Sequence, residues 1–263
     1  MFTGILNCDR QELYSNRKAV LREAQARVIG QALRRRMQGE PLQYILGKTE
    51  FMGLEFRVGP GVFIPRPETE ILVETAIEIV RKFASSQVRK LRILDLGTGS
   101  GCIAVSLAKM LPNLEVTATD VSPCALQTAR ENARSHNATI NFIQSNLFSA
   151  CELRTTSYEL IICNPPYVPT REIDGLQPEI SYEPRLALDG GSDGLDFYRR
   201  IIGAAGNYLE KGGFLIMEMG FNQYPRIKEI FRGSGKFDVI EPIRDYNDID
   251  RVVIAQYVSS AKG

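Results

Sequence analysis

Hydrophobic positions along the chain follow two periods, one typical of strands and one typical of helices. From residue 91 onward, short apolar runs of strand length alternate with segments whose apolar residues recur every three or four positions. Such alternation predicts an α/β fold built on a doubly wound, mostly parallel sheet. The seven predicted strands are residues 91–97, 115–120, 140–146, 158–163, 212–220, 236–248 and 250–258. The last two are close enough in sequence to be antiparallel neighbours.

Three segments precede the sheet. Helical spacing of apolar residues predicts an amphipathic helix over 18–38. Residues 50–64 predict two short strands interrupted at Gly59-Pro60-Gly61, and a further helix begins at Pro67. The predicted inward face of the first helix comprises Leu21, Ala24, Val28 and Ala32, widened by Val20, Ile29 and Leu33. The expected domains are an N-terminal helical domain over 1–48, a β-hairpin linker over 49–66 and the main domain over 67–263.

Charge is spread unevenly along the chain. The 263 residues are 44% hydrophobic and 24% charged, with a formal net charge of +1. This is the composition of an ordinary globular protein, and no global field favours nucleic acid or a membrane. Residues 1–38 carry eight basic and three acidic side chains, a balance of +5 that leaves −4 for the rest. Either this segment presents a solvated helix face, or it is a docking surface for an acidic partner.

Cysteine and histidine usage excludes several kinds of site. The five cysteines are odd in number and form no C-x-x-C pair, and His136 is the single histidine. Zinc-binding spacing is therefore absent, and we expect no metal. Ser-His-Asp or Cys-His catalysis would be possible only if His136 served. This usage fits a reducing cytoplasm, and we find no signal peptide and no apolar stretch that would span a bilayer.

A glycine-rich loop, LDLGTGSG, joins the first predicted strand of the sheet to the following helix. Gly97, Gly99 and Gly101 allow a tight turn and let backbone N–H groups approach a ligand. Asp120 ends the next strand, about where a carboxylate holds ribose hydroxyls. The spacing G-x-G-x-G differs from the G-x-G-x-x-G of dinucleotide sites, so a single nucleoside cofactor such as S-adenosylmethionine fits better than NAD. Asp95, just before the loop, could meet the cationic amino group of that cofactor.

The fourth strand of the sheet ends in Asn164-Pro165-Pro166-Tyr167. The two prolines fix the backbone and supply no N–H donor. The side-chain oxygen of Asn164 and the backbone oxygen of Pro165 can therefore accept two hydrogen bonds from one planar –NH₂ group, while Tyr167 offers a ring to a flat substrate. Both acceptors gain strength as positive charge develops on the nitrogen, which favours the transition state of methyl transfer. The pattern selects a carboxamide or the exocyclic amine of a base.

Further segments carry a family resemblance over nearly the whole chain from about residue 10. They are RRRMQGEPLQYILGKTEF (34–51), GVFIPRPETE (61–70), YEPRLALDGGSDGL (182–195) and RDYNDIDR (244–251). NPPY after LDLGTGSG resembles the amino-methyltransferases, and these segments resemble one branch, the HemK-type release-factor glutamine N5-methyltransferases. The resemblance implies a class I, Rossmann-like methyltransferase fold with a shortened N-terminal helical domain. It also implies methyl transfer from S-adenosylmethionine to the glutamine of the Gly-Gly-Gln motif in peptide chain release factors 1 and 2.

The resemblance implies roles for individual residues. Those expected to bind the cofactor are Gly97, Thr98, Gly99, Ser100 and Gly101 for its methionine part, Asp120 for its ribose, Asn146 and Leu147 near adenine, together with Asp95 and Asn164. Those expected to bind the substrate are Phe63, Asn164, Pro165, Pro166 and Tyr167, with Asn164 and Pro165 as the catalytic residues. YEPRLALDGG is expected to close over the site. Two roles stay open for four further residues, which organise the pocket wall or cap the helix: Arg66, Glu68, Thr69 and Glu70.

Other functions remain open beside this one. An N-methyltransferase of a ribosomal-protein glutamine, or of an exocyclic amine of adenine or guanine in nucleic acid, would share the NPPY site. The nucleic acid enzyme needs a basic surface, which the −4 balance of residues 39–263 disfavours. A non-catalytic nucleotide-binding regulator would keep the glycine loop but would not need NPPY. We expect release factors 1 and 2 as protein partners, no nucleic acid or membrane partner, a monomer and a cytoplasmic location.

Overall fold

One seven-stranded sheet organises the fold in the computed structural model, which describes residues 1–6, 8–15, 20–84 and 90–258. The strands are β1 (Lys48–Phe51), β2 (Leu54–Arg57), β3 (Leu91–Leu96), β4 (Leu114–Asp120), β5 (Ile140–Gln144), β6 (Tyr158–Cys163), β7 (Leu209–Glu218), β8 (Phe237–Arg244) and β9 (Asp250–Tyr257). The α-helices are α1 (Phe2–Leu6), α2 (Arg10–Ser15), α3 (Glu23–Met37), α4 (Leu42–Leu46), α5 (Glu68–Ala84), α6 (Cys102–Met110), α7 (Pro123–Ser135), α8 (Asp196–Ala205) and α9 (Tyr224–Ser234). Over the described residues, none of these helices is long and apolar enough to cross a membrane.

The strand order of the large sheet is β5-β4-β3-β6-β7-β9-β8. β9 runs antiparallel to both of its neighbours, and the other neighbouring pairs are parallel. The predicted α/β, doubly wound, mostly parallel sheet of seven strands is therefore confirmed. The chain order reverses between β3 and β6, so a crevice forms at the carboxyl ends of these strands, where ligands of such sheets bind.

Apolar residues of the central strands divide between two cores. In β6, Leu160 and Ile162 pack with residues of α5 and α6, whereas Ile161 and Cys163 pack with residues of α8 and α9. All residues of β6 are buried, as expected for a central parallel strand that helices cover on both faces. The two cores hold the carboxyl end of β6, and the NPPY segment that follows it, in a fixed position.

The N-terminal helix is less buried than its sequence predicts. The predicted helix over 18–38 is present as α3, which begins later, at Glu23; residues 20–22 are not helical, and residues 18 and 19 lie outside the described part of the chain. Ile29 and Ala32 are buried. The remaining residues of the predicted inward face are exposed: Val20, Leu21, Ala24, Val28 and Leu33. The prediction of a wide inward face was wrong because α3 packs mainly against α1 and α4, each only five residues long.

The β-hairpin before the sheet turns at an unexpected place. Phe51 of β1 pairs with Leu54 of β2, so Met52-Gly53 forms the turn, with φ angles of 50° and 70°. The predicted interruption at Gly59-Pro60-Gly61 was wrong, because that segment follows β2. Methionine seldom adopts a positive φ, and here the carboxylate of Glu70 stabilises the turn by accepting a 2.5 Å hydrogen bond from the Met52 N–H.

Candidate active site

A cavity of about 460 Å³ opens at the carboxyl ends of β3, β4, β5 and β6. Its wall contains every predicted site residue except Asp95 and Gly101. Those that line it are Phe63, Gly97, Thr98, Gly99, Ser100, Asp120, Asn146, Leu147, Asn164, Pro165, Pro166 and Tyr167. The reversal of strand order thus brings the glycine loop and the NPPY segment to one cavity, whose size suits a small-molecule site.

The glycine loop is open on one side and tightly packed on the other. Gly97 and Gly99 have φ angles of 74° and 57°, and a Cβ added to either would meet no atom within 4 Å. Gly101 packs against α7, because an added Cβ would lie 3.0 Å from the Cβ of Ala129. Side chains at the first two positions would project into open space beside the cavity. The loop therefore fits a bulky ligand that lies against its backbone, such as a nucleoside cofactor.

Two aspartates hold this loop from β3 and β4. Asp120 accepts hydrogen bonds from the backbone N–H groups of Gly99 and Ser122, both at 2.9 Å, and burial raises its pKa. Asp95 is fully buried and accepts a 2.6 Å hydrogen bond from the Thr98 hydroxyl. Burial raises the pKa of Asp95 to about 7, and the nearby Asp120 carboxylate adds to this effect. Within the described residues, no group of three or more His, Cys, Asp or Glu side chains could hold a metal ion.

A hydrogen-bonded chain runs behind Asn164. Its Nδ2 donates to the Thr69 hydroxyl oxygen at 3.1 Å, and that hydroxyl donates to Oε2 of Glu218 at 2.7 Å. The Tyr167 hydroxyl donates to Oε1 of the same carboxylate at 3.3 Å. Because Nδ2 is engaged by Thr69, the Asn164 amide has its Oδ1 left to accept a hydrogen bond from a ligand.

Glu218 ends β7 with only 1% of its surface exposed. Burial raises its pKa to about 7, although the Thr69 hydroxyl and the positive charge of Arg251 favour the ionised form. Burial also raises the pKa of Tyr167, so this hydroxyl keeps the proton that it donates. The Glu218 carboxyl group therefore has a pKa of about 7. Two hydrogen bonds through Thr69 connect it to the Asn164 amide in the cavity wall.

Phe63 forms part of the wall of the cavity, and Arg66 holds it. The guanidinium carbon of Arg66 lies 4.7 Å from the centre of the Phe63 ring, and the guanidinium forms an ion pair with Glu183. Glu183 is 6% exposed and also accepts a 3.0 Å hydrogen bond from the backbone of Ile64. Arg66 and Thr69, two of the four residues whose role was left open, thus lie in the cavity wall, and Arg66 contacts Phe63 there.

The segment that contains YEPRLALDGG closes over the cavity through short 3₁₀ helices. They span Thr170–Gly175, Pro178–Tyr182 and Arg185–Ala187. The apolar residues that they and their connections add to the lining are Leu176, Ile180, Pro184, Leu186, Ala187 and Leu188. The Tyr182 hydroxyl donates to the backbone oxygen of Gln38 at 2.8 Å, which ties this lid to the end of α3.

Asn146 and Leu147 line the cavity beyond the end of β5. Arg200 of α8 donates a 2.7 Å hydrogen bond to Oδ1 of Asn146. Leu147 has a left-handed φ of 54°, and the Ser145 hydroxyl fixes this turn by donating to the Leu147 backbone oxygen at 2.6 Å. A hydrogen bond thus closes the turn at Leu147, and a cation on α8 binds the oxygen of the Asn146 amide.

The sequence of this chain is similar to those of known proteins. The protein-family model of the Methyltransferase small domain matches residues 55–177. The family model of the PrmC N-terminal domain matches residues 1–47. The release factor glutamine methyltransferase of Geobacter sulfurreducens is 44% identical over 254 residues, which cover 96% of this chain and 86% of that protein. This chain belongs to the release factor glutamine methyltransferase family. The family member of Thermodesulfovibrio yellowstonii is 42% identical over 254 residues, with 96% of this chain and 88% of that protein covered.

A solved structure supports the fold. The catalytic domain of hMettl16 in complex with the MAT2A 3'UTR hairpin 6 has a TM-score of 0.64 and 17% identity, covering 86% of this chain and 84% of that chain. The class I, Rossmann-like methyltransferase fold is thus confirmed. Membership of the release factor glutamine methyltransferase family makes the chain a methyltransferase whose cofactor is S-adenosylmethionine, and the residues of the glycine loop fit that group.

The sequence analysis did not predict that two carboxylates, Glu218 and Glu183, take part in the site of this release factor glutamine methyltransferase family member. Glu218 stands in the apolar run FLIMEMG, and a single acid inside a buried strand is the signal that would have found it, since buried charges need partners. Glu183 was part of a segment expected to close over the site, but its sequence gives no sign that it would bind Arg66. Pairing across so many residues depends on the fold.

Proposed function

We propose that this protein transfers the methyl group of S-adenosylmethionine to the side-chain amide nitrogen of the glutamine in the Gly-Gly-Gln motif of peptide chain release factors 1 and 2. The observation that carries the proposal is the Asn164 amide beside Pro165 in the cavity wall, with its Nδ2 engaged by Thr69. An acceptor pair of this kind is complementary to one planar –NH₂ group. The names and the identity of the curated relatives support a release factor as the protein that carries this group.

In this proposal the cofactor lies along the glycine loop. When bound, S-adenosylmethionine would supply a methyl group activated by attachment to a positively charged sulfur, which would keep the electron pair of the broken bond and become a neutral thioether. The residues proposed to hold its methionine part are Gly97, Thr98, Gly99, Ser100 and Gly101, with Asp95 supporting Thr98 from behind. Asp120 would accept the ribose hydroxyls, because each carboxylate oxygen can accept a second hydrogen bond besides the one from the loop. Asn146 and Leu147 would lie beside adenine.

Asn164 and Pro165 are proposed to act directly on the substrate nitrogen. A carboxamide nitrogen is a weak nucleophile because its lone pair is delocalised into the carbonyl group. Oδ1 of Asn164 and the Pro165 carbonyl oxygen each accept a hydrogen bond from one of its two N–H groups, and both interactions strengthen as positive charge grows on the nitrogen. The rings of Tyr167 and Phe63 form the walls beside the flat amide. Pro166 restricts the backbone of the NPPY segment. The methylated nitrogen then loses its extra proton to solvent.

The proposal divides the chain into a substrate-docking domain over 1–48, a hairpin linker over 49–66 and a methyltransferase domain over 67–263. A glutamine side chain offers too little surface to specify one residue among all proteins, so contacts remote from the chemistry must contribute. The exposed apolar residues of α3 and its terminal arginines offer such a surface. We propose that the protein acts as a monomer in the cytoplasm, where release factors act.

The test is transfer of labelled methyl from S-adenosylmethionine to purified release factor. A release factor whose Gly-Gly-Gln glutamine is replaced by glutamate is the matched control. Label on the unaltered release factor alone supports the proposal. Equal labelling of the unaltered release factor and its glutamate variant, or labelling of neither, rejects it.

A further inference from the structure

Three residues from different elements form a hydrogen-bonded chain that leads from the cavity wall into the core. Glu218 ends β7, Thr69 lies in the first turn of α5, and Asn164 follows β6. Thr69 lies in the cavity wall but is only 2% exposed, whereas Glu218 is 1% exposed and does not line the cavity. We propose that Thr69 and Glu218 are positioning residues, which turn the Asn164 amide so that its oxygen faces the substrate, and that they do so only while Glu218 is ionised. This inference rests on the proposed function.

The direction of each hydrogen bond follows from the number of protons available. An ionised carboxylate has no proton and can only accept, so the Thr69 hydroxyl, 2.7 Å from Oε2 of Glu218, must point its single proton at that oxygen. The hydroxyl oxygen then has only lone pairs for Asn164. An amide oxygen cannot donate, so Nδ2 must face Thr69 at 3.1 Å. The Asn164 oxygen is thereby directed away from Thr69, as an acceptor for the substrate –NH₂.

Neighbouring groups hold the carboxylate in place. The Tyr167 hydroxyl binds the second carboxylate oxygen, and the Tyr198 hydroxyl of α8 donates to the Glu218 backbone oxygen at 2.8 Å. Arg251 of β9 favours the ionised carboxylate, whereas burial and the nearby Glu68 of α5 oppose it. The balance raises the pKa of Glu218 to about 7, so this group changes charge in the neutral range.

A proton on Glu218 would reverse the whole chain. The carboxyl group would then donate to Thr69, whose own proton would turn towards Asn164. The amide would present Oδ1 to that proton and Nδ2 to the cavity, where the N–H groups of the substrate also lie. Donor would face donor, so the first acceptor of the proposed mechanism would be lost without any change in the cofactor site.

Substitutions of Thr69 test the relay at fixed pH. T69V removes the hydroxyl and keeps the shape, so we expect the single-turnover methylation rate to fall on the order of tenfold, the value of one hydrogen bond. T69S restores the hydroxyl and the rate. T75V is the matched control, because Thr75 is buried in the same helix and its hydroxyl donates to the Ile71 backbone oxygen at 2.7 Å. All three variants should bind S-adenosylmethionine as the unaltered protein does.

The pH profile separates the relay from a purely structural role. The unaltered protein should lose activity as the pH falls through about 7, the value to which burial raises the pKa of Glu218. E218Q has no proton to gain at this position, so its single-turnover rate should be lower at high pH but should lack that acid limb. Two results would overturn this inference and leave the proposed function standing. One is an equal methylation rate for T69V and the unaltered protein, and the other is an acid limb that is retained in E218Q. An unaltered protein that leaves the glutamine unmethylated would reject the proposed function and this inference with it.

Discussion

The backbone N–H of Ile64 donates a 3.0 Å hydrogen bond to Oε2 of Glu183, across 119 residues of sequence. The guanidinium of Arg66 binds the other oxygen of the same carboxylate and lies over the Phe63 ring. One buried carboxylate thus joins the wall before α5 to the lid over the cavity. The wall and the lid are therefore expected to hold the substrate as one unit.

Loss of the Glu183 charge should loosen this unit. Glu183→Gln keeps an acceptor for Ile64 but weakens the pairing with Arg66, so we expect the KM for release factor to rise about fivefold to tenfold. Affinity for S-adenosylmethionine should stay near its original value. Steady-state kinetics and calorimetry measure the two quantities, and Glu172→Gln, at an exposed acid of the same lid, is the control. Equal KM values for the two variants would mean that the ion pair does not shape the substrate site.

Removal of the Asn164 side chain should separate binding from chemistry. Asn164→Ala deletes one of the two proposed acceptors, so the single-turnover rate should fall about a hundredfold to a thousandfold, as when an oxyanion-hole donor is removed. The cofactor should still bind, because the glycine loop and Asp120 are untouched. Rapid-quench measurements with saturating S-adenosylmethionine give the rate. A variant that reacts nearly as fast as the unaltered protein would refute the two-acceptor mechanism.

Asp120 should act mainly on the cofactor. Asp120→Ala loses the proposed bonds to ribose, each worth about 1.5–3 kcal/mol, and also releases the N–H groups of Gly99 and Ser122. Calorimetry should therefore show much weaker S-adenosylmethionine binding. Asp120→Asn keeps one acceptor oxygen and should lie between the two. If affinity is unchanged in both variants, the ribose is held by other residues.

The arginines of α3 need separate treatment in any test of docking. Arg35 and Arg36 form ion pairs inside the chain, with Glu40 and Glu179 respectively, both at 2.5 Å. Among the described residues, Arg34 has no ion pair. Its reversal, Arg34→Glu, should raise the KM for release factor at low salt, and the effect should fade at high salt because surface charges are screened.

Arg232→Glu is the matched control for that reversal, since this exposed arginine also lies in the last turn of a helix. It should leave the KM unchanged at every salt concentration. A wild-type KM for Arg34→Glu at low salt would reject the docking role of α3 through charge. The apolar residues that α3 exposes would then be the surface to test.

Much of the fold was accessible from the sequence because local patterns specify it. The run YELIIC predicts β6 with its correct bounds. Its length is that of a strand, and the prolines that begin two residues after it prevent the strand from continuing. Ser122-Pro123 likewise predicts the start of α7, where the Ser122 hydroxyl accepts from the Ala125 N–H at 3.3 Å. The hairpin turn was mispredicted because Met52 takes a positive φ that its residue type does not favour.

The site was accessible only in part, for a different reason. Glycine and proline have distinctive backbone properties that indicate a ligand-binding loop. The site residues around Gly97 and Asn164 could therefore be predicted from the sequence. The relay through Thr69 to Glu218 and the pair Arg66–Glu183 join residues far apart in the chain. No local pattern reports such contacts, because they exist only once the sheet has brought the elements together.

Peptide mass spectrometry of the product tests the central claim most directly. Purified release factor 1 or 2 is incubated with this protein and S-adenosylmethionine, digested and fragmented to locate any added group. The account predicts a gain of one methyl group on the glutamine of the Gly-Gly-Gln motif, at its side-chain nitrogen, and no such gain with Asn164→Ala on the same timescale. A methyl group found on another residue, or an unmodified glutamine after prolonged incubation with active cofactor, would contradict it.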